Sequence, residues 1–215
     1  NRQPAYIIVA EDLATRPING PALDTPYPEP KSDADELKAA VDAALAKLES
    51  AKTGCILPAF TVSRFGLQAE LTALVEASGL PFATTGMDKA ALSEGHAQYI
   101  GGYAGKFSPP NVLEAVEESD VVINAGGVLF TDLSTAGFAD NIDPARMITI
   151  GIDHTQIDGR IYSNVRMRDM FVELAAKVKK FTDVKLQRPA QAELVGGPDD
   201  PITAASLYPR YQQFF

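Results

Sequence analysis

The sequence predicts a three-layer α/β/α protein of the doubly wound, Rossmann-like type, with a parallel sheet of about six strands. Three observations carry this. Short apolar runs alternate several times with amphipathic stretches at helical spacing, the pattern of repeated strand–helix–strand units. The apolar runs are nearly continuous, as expected of strands covered on both faces. The chain has 215 residues and 46% hydrophobic content, enough for one sizeable core.

Taken in order, residues 6–9 read as a strand and are followed by Ala10-Glu11-Asp12-Leu13. Pro17, Pro21, Pro26, Pro28 and Pro30 then make residues 14–31 a semi-rigid linker. Ser32 is the expected N-cap of a helix over 33–50, where Leu37, Ala40, Val41, Ala44, Leu45 and Leu48 recur at helical spacing. The apolar run 55–62 is the first buried strand. A helix over 66–78 turns Leu67, Leu71, Leu74 and Val75 inward, and Gly79 with Pro81 stops it. Strands follow at 81–85 and 99–102. Ser108 is the expected cap of a third helix that opens on Pro109 and faces inward through Val112, Leu113 and Val116.

Residues 121–125 form the next strand, with Gly126-Gly127 at its end. Asp143 caps a turn into a strand over 147–152, and a last strand spans 159–162. The final long helix covers 166–181, with Met167, Met170, Phe171, Leu174, Val178 and Phe181 on one face. Residues 183–203, with Pro189, Pro198 and Pro201, are a second linker. Thr203 is placed to cap a helix over 204–215, in which Pro209 is an irregularity. The α/β domain proper is therefore 32–182. The apolar stretch close behind Asn1 and the ending on Phe214-Phe215 give the expectation that both ends fall inside secondary structure.

Composition removes several classes of function. With 28 acidic and 19 basic side chains the net charge is −9, which repels phosphate backbones, so no nucleic-acid partner is expected. The basic residues between Arg166 and Lys185 read as a solvated helix face, their lysines complementing a helix dipole. No apolar run approaches the roughly 20 residues that span a bilayer, so no membrane association is expected. Cys55 is the single cysteine, which excludes an internal disulfide and fits a reducing, cytoplasmic compartment. Its apolar surroundings mark it as a buried, inert thiol.

Few residues carry chemistry. His96 and His154 are the only histidines, and with one cysteine they make no zinc-ligand pattern. There is no Gly-x-Ser-x-Gly elbow and no phosphate-binding P-loop. The nearest segment to the latter is 102–108, which precedes a helix without joining a buried strand to it. A dinucleotide site needs glycine in the first strand-to-helix turn, where backbone approaches pyrophosphate. Here that turn reads Pro58-Ala59-Phe60, with no glycine between Gly54 and Gly66, which argues against NAD or FAD. The fold still offers a crevice at the carboxyl ends of its strands. Its weak candidates for cofactor or effector contact are Ser63, Arg64, Gly126, Gly127, Asp132, Asp153 and His154. Arg64 could pair with a phosphate or carboxylate. His154 stands either as a turn residue bonded to backbone or as a ligand group after the strand ending at Ile152.

Several segments carry a resemblance. They are Ser63-Arg64-Phe65-Gly66-Leu67-Gln68-Ala69-Glu70 and Pro81-Phe82-Ala83-Thr84-Thr85-Gly86-Met87-Asp88-Lys89. A third set runs through Tyr99-Ile100-Gly101-Gly102-Tyr103-Ala104-Gly105, Val116-Glu117-Glu118-Ser119-Asp120 and Leu129-Phe130-Thr131-Asp132-Leu133-Ser134-Thr135-Ala136-Gly137-Phe138. In order and spacing these resemble the central domain of thiamine-diphosphate-dependent 2-keto acid decarboxylases, closest to the pyruvate, indolepyruvate and phenylpyruvate decarboxylase group. Residues 1–13 are then similar to the tail of the preceding pyrimidine-binding domain. Residues 204–215 are similar to the start of the pyrophosphate-binding domain.

The resemblance implies a parent that converts a 2-keto acid to an aldehyde and carbon dioxide, as a homodimer or homotetramer. It implies thiamine diphosphate and Mg2+ held by the flanking domains, and neither a cofactor nor a catalytic residue in this chain. The alternative it leaves is a nucleotide- or effector-binding module, since related central domains hold FAD or ADP. Two departures stand out. No cysteine lies near Thr61, where yeast-type relatives carry a regulatory one. Gly86-Met87-Asp88-Lys89 replaces the usual Met-Gly-Lys-Gly.

Overall fold

The computed structural model of the protein describes residues 5–17, 20, 24, 28–182, 184, 186–190 and 192–214. Its centre is a seven-stranded sheet. The strands are β1 (Gly54–Pro58), β2 (Phe82–Thr84), β3 (Tyr99–Gly102), β4 (Val121–Ala125), β5 (Met147–Ile150), β6 (His154–Ile157) and β7 (Arg160–Ser163). They lie in the order β3-β2-β1-β4-β5-β6-β7. Strands β1 to β5 are all parallel, whereas β6 and β7 run on antiparallel as a hairpin. The three-layer doubly wound class is as expected. The sheet is one strand larger than the expected six, and two of its strands are not parallel. The additional strand is β6, whose residues are alternately exposed and buried. Asp158 (φ 50°) and Gly159 (φ 79°) make the tight turn that follows it.

Helices α1 (Ala34–Ser50), α3 (Gln68–Ser78) and α5 (Met167–Lys177) cover one face of the sheet. Val41, Leu71, Leu74, Met170, Phe171 and Leu174 interlock there over Ile56, Ile123, Ile148 and Ile150. The opposite face is thinner. It holds α4 (Pro110–Leu113), a π-helical turn over Glu114–Glu118, and the loop behind β4. These pack Tyr103, Val112, Val116 and Val128 onto Cys55, Leu57 and Val122. The alternate residues of β1 thus serve two separate cores, which is why the whole strand is buried.

Several expected boundaries move, each for a local reason. The first strand stops at Pro58 rather than at residue 62, and Phe60–Phe65 form a short helix, α2. A buried apolar run does not distinguish strand from helix, and the Phe60 N–H is taken by a carboxylate from elsewhere in the chain. Asp33, not Ser32, caps α1, accepting from the N–H groups of Asp35 and Glu36. Ser32 instead accepts from Arg166 N and donates to Asp169, tying the start of α1 to the start of α5. Ser108 does not cap α4. Its hydroxyl donates to Gly105 O and accepts from Ala104 N, inside the preceding loop.

Helix α5 ends at Lys177, where the chain turns so that Phe181 N bonds Ser78 O. Thr203 caps the last helix, α6 (Ala204–Phe214), by accepting from Ser206 N. Phe215, the last residue of the expected helix, lies outside the described residues. Residues 6–9 form no strand, and Tyr6 and Ile8 are more than four-fifths exposed. Of the two linkers, residues 18, 19, 21–23, 25–27, 183, 185 and 191 lie outside the described residues, Pro21 and Pro26 among them. Among the described residues, no helix is long and apolar enough to cross a membrane.

Cys55 is fully buried on β1, and burial pushes its thiol up to about 12 from an ordinary 9.0. The expected outcome is that the folded protein resists iodoacetamide at pH 8 and reacts fully in denaturant, read by mass spectrometry. The raised value also fixes a sign. Between pH 9 and about 12 the native state holds a proton that the unfolded chain releases, so this group's contribution to stability is lost as pH rises through that window.

Candidate functional site

The strand order reverses direction between β1 and β4, and a doubly wound sheet opens its ligand crevice outside the carboxyl ends of such a pair. The crevice floor here is closed by the chain itself. Ala59 N bonds Ala125 O, so the turn leaving β1 is stitched to the end of β4. The Phe60 N–H, first of α2, donates to Asp88 Oδ1 at 2.8 Å. The other oxygen of Asp88 accepts from the Thr85 hydroxyl, and the residue is only 2% exposed. A buried carboxylate therefore stands where a dinucleotide-binding sheet would present N–H groups to a phosphate. The absence of glycine at Pro58–Phe60 thus has a structural counterpart. Asp88 carried no functional weight in the sequence reading beyond its place in the resemblance. Its signal is an aspartate in a turn just behind a short strand.

The expected crevice residues lie along this carboxyl edge, but most are engaged in holding it together. Gly126 (φ 101°) follows β4, and its N–H bonds Ile150 O. Its carbonyl accepts from the Thr61 hydroxyl at 2.6 Å. A Cβ at Gly126 would collide with Thr61 Oγ1 and stand 3.1 Å from Ala59 Cβ and Val62 Cγ2. Gly127 (φ 77°) has open space around it. Ser63 donates to Ala90 O, tying α2 to the turn that carries Asp88. The Arg64 guanidinium lies over the Phe60 ring at 4.7 Å. Asp132 is exposed, and one of its carboxylate oxygens accepts from the neighbouring Leu133 N–H. Asp153 and the first residue of β6, His154, are exposed beyond β5 and pair with each other at 3.2 Å. The His154 ring rests against Gly151. Gly126 and α2 are brought into direct contact through Thr61. His96, the other histidine, lies beside Glu76 and against the Phe82 ring.

The loops that crown this edge brace one another. Tyr103, almost fully buried, donates its hydroxyl to Glu117 Oε1 at 2.7 Å. Burial, then this carboxylate, push the phenol well above its usual range. The other Glu117 oxygen accepts from Asn141, so one side chain joins the loops after β3 and β4 to the π-helical turn. Lys106 N bonds Ala139 O, and Gly105 packs so closely on the carbonyls of Thr135 and Ala139 that a side chain would collide with them. The 102–108 segment is thus a packed support. Above it, Phe107, Leu133 and Phe138 are each about two-thirds exposed or more. Phe138 and Ala136 hold positive φ angles of 57° and 52°. Among the described residues, no three His, Cys, Asp or Glu side chains converge to hold a metal ion.

Comparison with known proteins gives the same direction from an independent source. Residues 41–177 match the family described as thiamine pyrophosphate enzyme, central domain. Over 176 residues the chain is 32% identical to a protein of Mycobacterium leprae named alpha-keto-acid decarboxylase, covering 82% of this chain and 31% of that one. It is 30% identical over 212 residues to the pyruvate decarboxylase of Aspergillus terreus, covering 96% and 37%. It is 29% identical over 199 residues to pyruvate decarboxylase isozyme 1 of Saccharomyces cerevisiae, covering 89% and 35%. The chain therefore spans only about a third of the length of the curated relatives it matches.

Proposed function

Because this chain belongs to the family of thiamine pyrophosphate enzyme central domains, we propose that it is the supporting domain of a thiamine-diphosphate-dependent 2-keto acid decarboxylase. The parent would cleave a 2-keto acid to an aldehyde and carbon dioxide. The observation that carries this reading, beside the similarity to proteins named as decarboxylases, is Asp88. A buried carboxylate already satisfies the first N–H of α2 and would repel a diphosphate brought there. This reading places the parent's thiamine diphosphate and Mg2+ outside this domain. Those groups are assigned to flanking pyrimidine- and pyrophosphate-binding domains of a homodimeric or homotetrameric parent. No catalytic residue is assigned to this chain.

The alternative, a nucleotide- or effector-binding module, rests on the candidate residues still exposed at the carboxyl edge, Arg64, Asp132, Asp153 and His154, with Gly127 partly so. Against it, Asp132 and Asp153 are carboxylates, which do not donate to an anionic ligand.

The test is a domain exchange. The matched segment of the M. leprae protein is replaced by this chain, and carbon dioxide release from pyruvate, phenylpyruvate and indolepyruvate is measured. The expected chimera assembles as its parent does and releases carbon dioxide from at least one of them. A chimera that folds and assembles normally yet is inactive on 2-keto acids contradicts the proposal.

A further inference from the structure

The sheet ends on one side at β7, the outer strand of the β6–β7 hairpin. The turn Asp158-Gly159 fixes which backbone groups of β7 are used. Arg160 pairs with Ile157 and Tyr162 with Thr155, and in a hairpin closed by a two-residue turn these are the hydrogen-bonded pairs. The N–H and C=O groups of Ile161 and Ser163 therefore point away from the sheet. Among the described residues, no loop backbone bonds them. One face of the hairpin is also open. The core on that side extends to Met147 of β5, whereas His154, Gln156, Ile161 and Ser163 beyond it are exposed, Ile161 at 57%.

An open edge is a template for another strand, and proteins commonly blunt it with outward charge or proline. Strand β7, Arg160-Ile161-Tyr162-Ser163, has neither. Its one charged side chain, Arg160, is turned to the covered face, over the Tyr162 ring at 4.3 Å and beside Glu36 of α1.

We propose that β7 pairs antiparallel with β7 of a second copy of this chain, about a two-fold axis at Tyr162, so that the two sheets run on as one. An antiparallel edge is complementary to itself under a two-fold axis, and the pairing closes after two copies. With Ile161 opposite the second copy's Ser163, every outward N–H and C=O of these residues finds a partner. Setting Ile161 against its own copy would instead bring Ser163 onto the turn at Gly159, where φ is 79° and the strand has ended. Charge favours the same register, because Arg160 then faces the second copy's Asn164 and not a like charge. The contact is small. A four-residue edge covers well under the roughly 1,200 Å² of a standard interface, so the dimer is weak, with a dissociation constant on the order of 0.1–1 mM. The decarboxylase reading draws nothing from β7, so either can fail without the other.

The test is sedimentation equilibrium of the 215-residue chain from about 10 μM to about 2 mM, in about 0.15 M salt to screen the net charge of −9. A reversible monomer–dimer equilibrium is expected, and dilution should move the amide resonances of Ile161 and Ser163 most in heteronuclear NMR. Ile161→Lys puts a charge on the open face and should weaken association roughly tenfold or more. Adding Ser163→Glu should restore it, because the register sets each new lysine opposite a new glutamate. Both positions are exposed, and circular dichroism checks that each variant keeps the fold. A chain that stays monomeric at the highest concentration, or a dimer that Ile161→Lys leaves unchanged, would overturn the assignment. So would dilution shifts centred away from β7, which the unsubstituted chain alone can reveal, or a double variant that associates no better than Ile161→Lys.

Discussion

Replacing Asp88 with alanine is expected to lower the melting temperature by roughly 6–12 °C, the shift that about 3 kcal/mol gives in a domain of this size. Two donors lose their acceptor at once, the Phe60 N–H and the Thr85 hydroxyl. Water cannot easily take the place of the lost carboxylate, since Thr85 is 1% and Asp88 2% exposed. A hydrogen bond to a charged group is worth about 1.5–3 kcal/mol, and an orphaned buried donor costs its full desolvation. Asp88→Asn keeps one carbonyl acceptor and should lose about half as much. Urea unfolding monitored by circular dichroism checks both. An Asp88→Ala protein as stable as the original would mean that the carboxylate does not close the turn.

The second large effect is expected at Gly126. Alanine there should cost about 3 kcal/mol, because two penalties combine. The backbone sits at φ 101°, where a side chain is strained, and the new Cβ collides with Thr61 Oγ1 while pressing on Ala59 and Val62. Gly127→Ala should cost only about 1 kcal/mol, since its φ is also positive but the space around it is empty. Adding Thr61→Ala to Gly126→Ala should recover part of the loss, a coupling measurable by a double-mutant cycle in urea. Equal losses at the two glycines would show that packing against α2 is not what requires glycine at 126.

The layers of the fold were legible because their signals are local and repeated. Val41, Ala44 and Leu48 on α1, and Met170, Phe171 and Leu174 on α5, announce one buried face at helical spacing. Gly79 stops α3 where its left-handed φ of 73° is needed. The missed strand, β6, also left a trace. Asp158-Gly159 is a strong tight-turn signal, flanked by Thr155, Ile157 and Tyr162, which are all buried. The continuous run from Cys55 could not show where strand becomes helix, because both states bury it. That boundary is set by Asp88, far along the chain.

The site was less legible for the same reason. Gly126-Gly127 looks like a phosphate loop until Thr61 is seen against it. Ser108 looks like a cap until its hydroxyl is found on Gly105. Ser32 looks like the cap of α1, yet it serves the start of α5. Each is a polar group whose partner lies elsewhere in the fold. Spacing along the sequence ranks such residues as candidates, and only the packed structure shows which are already satisfied.

The central claim is that this domain supports a thiamine-diphosphate enzyme without holding the cofactor. Isothermal titration of the chain with thiamine diphosphate and Mg2+ tests it most directly. The account predicts no saturable heat at millimolar cofactor, with the fold intact by circular dichroism. Saturable binding with a micromolar dissociation constant would contradict it, and would mean that Asp88 yields its place at the start of α2.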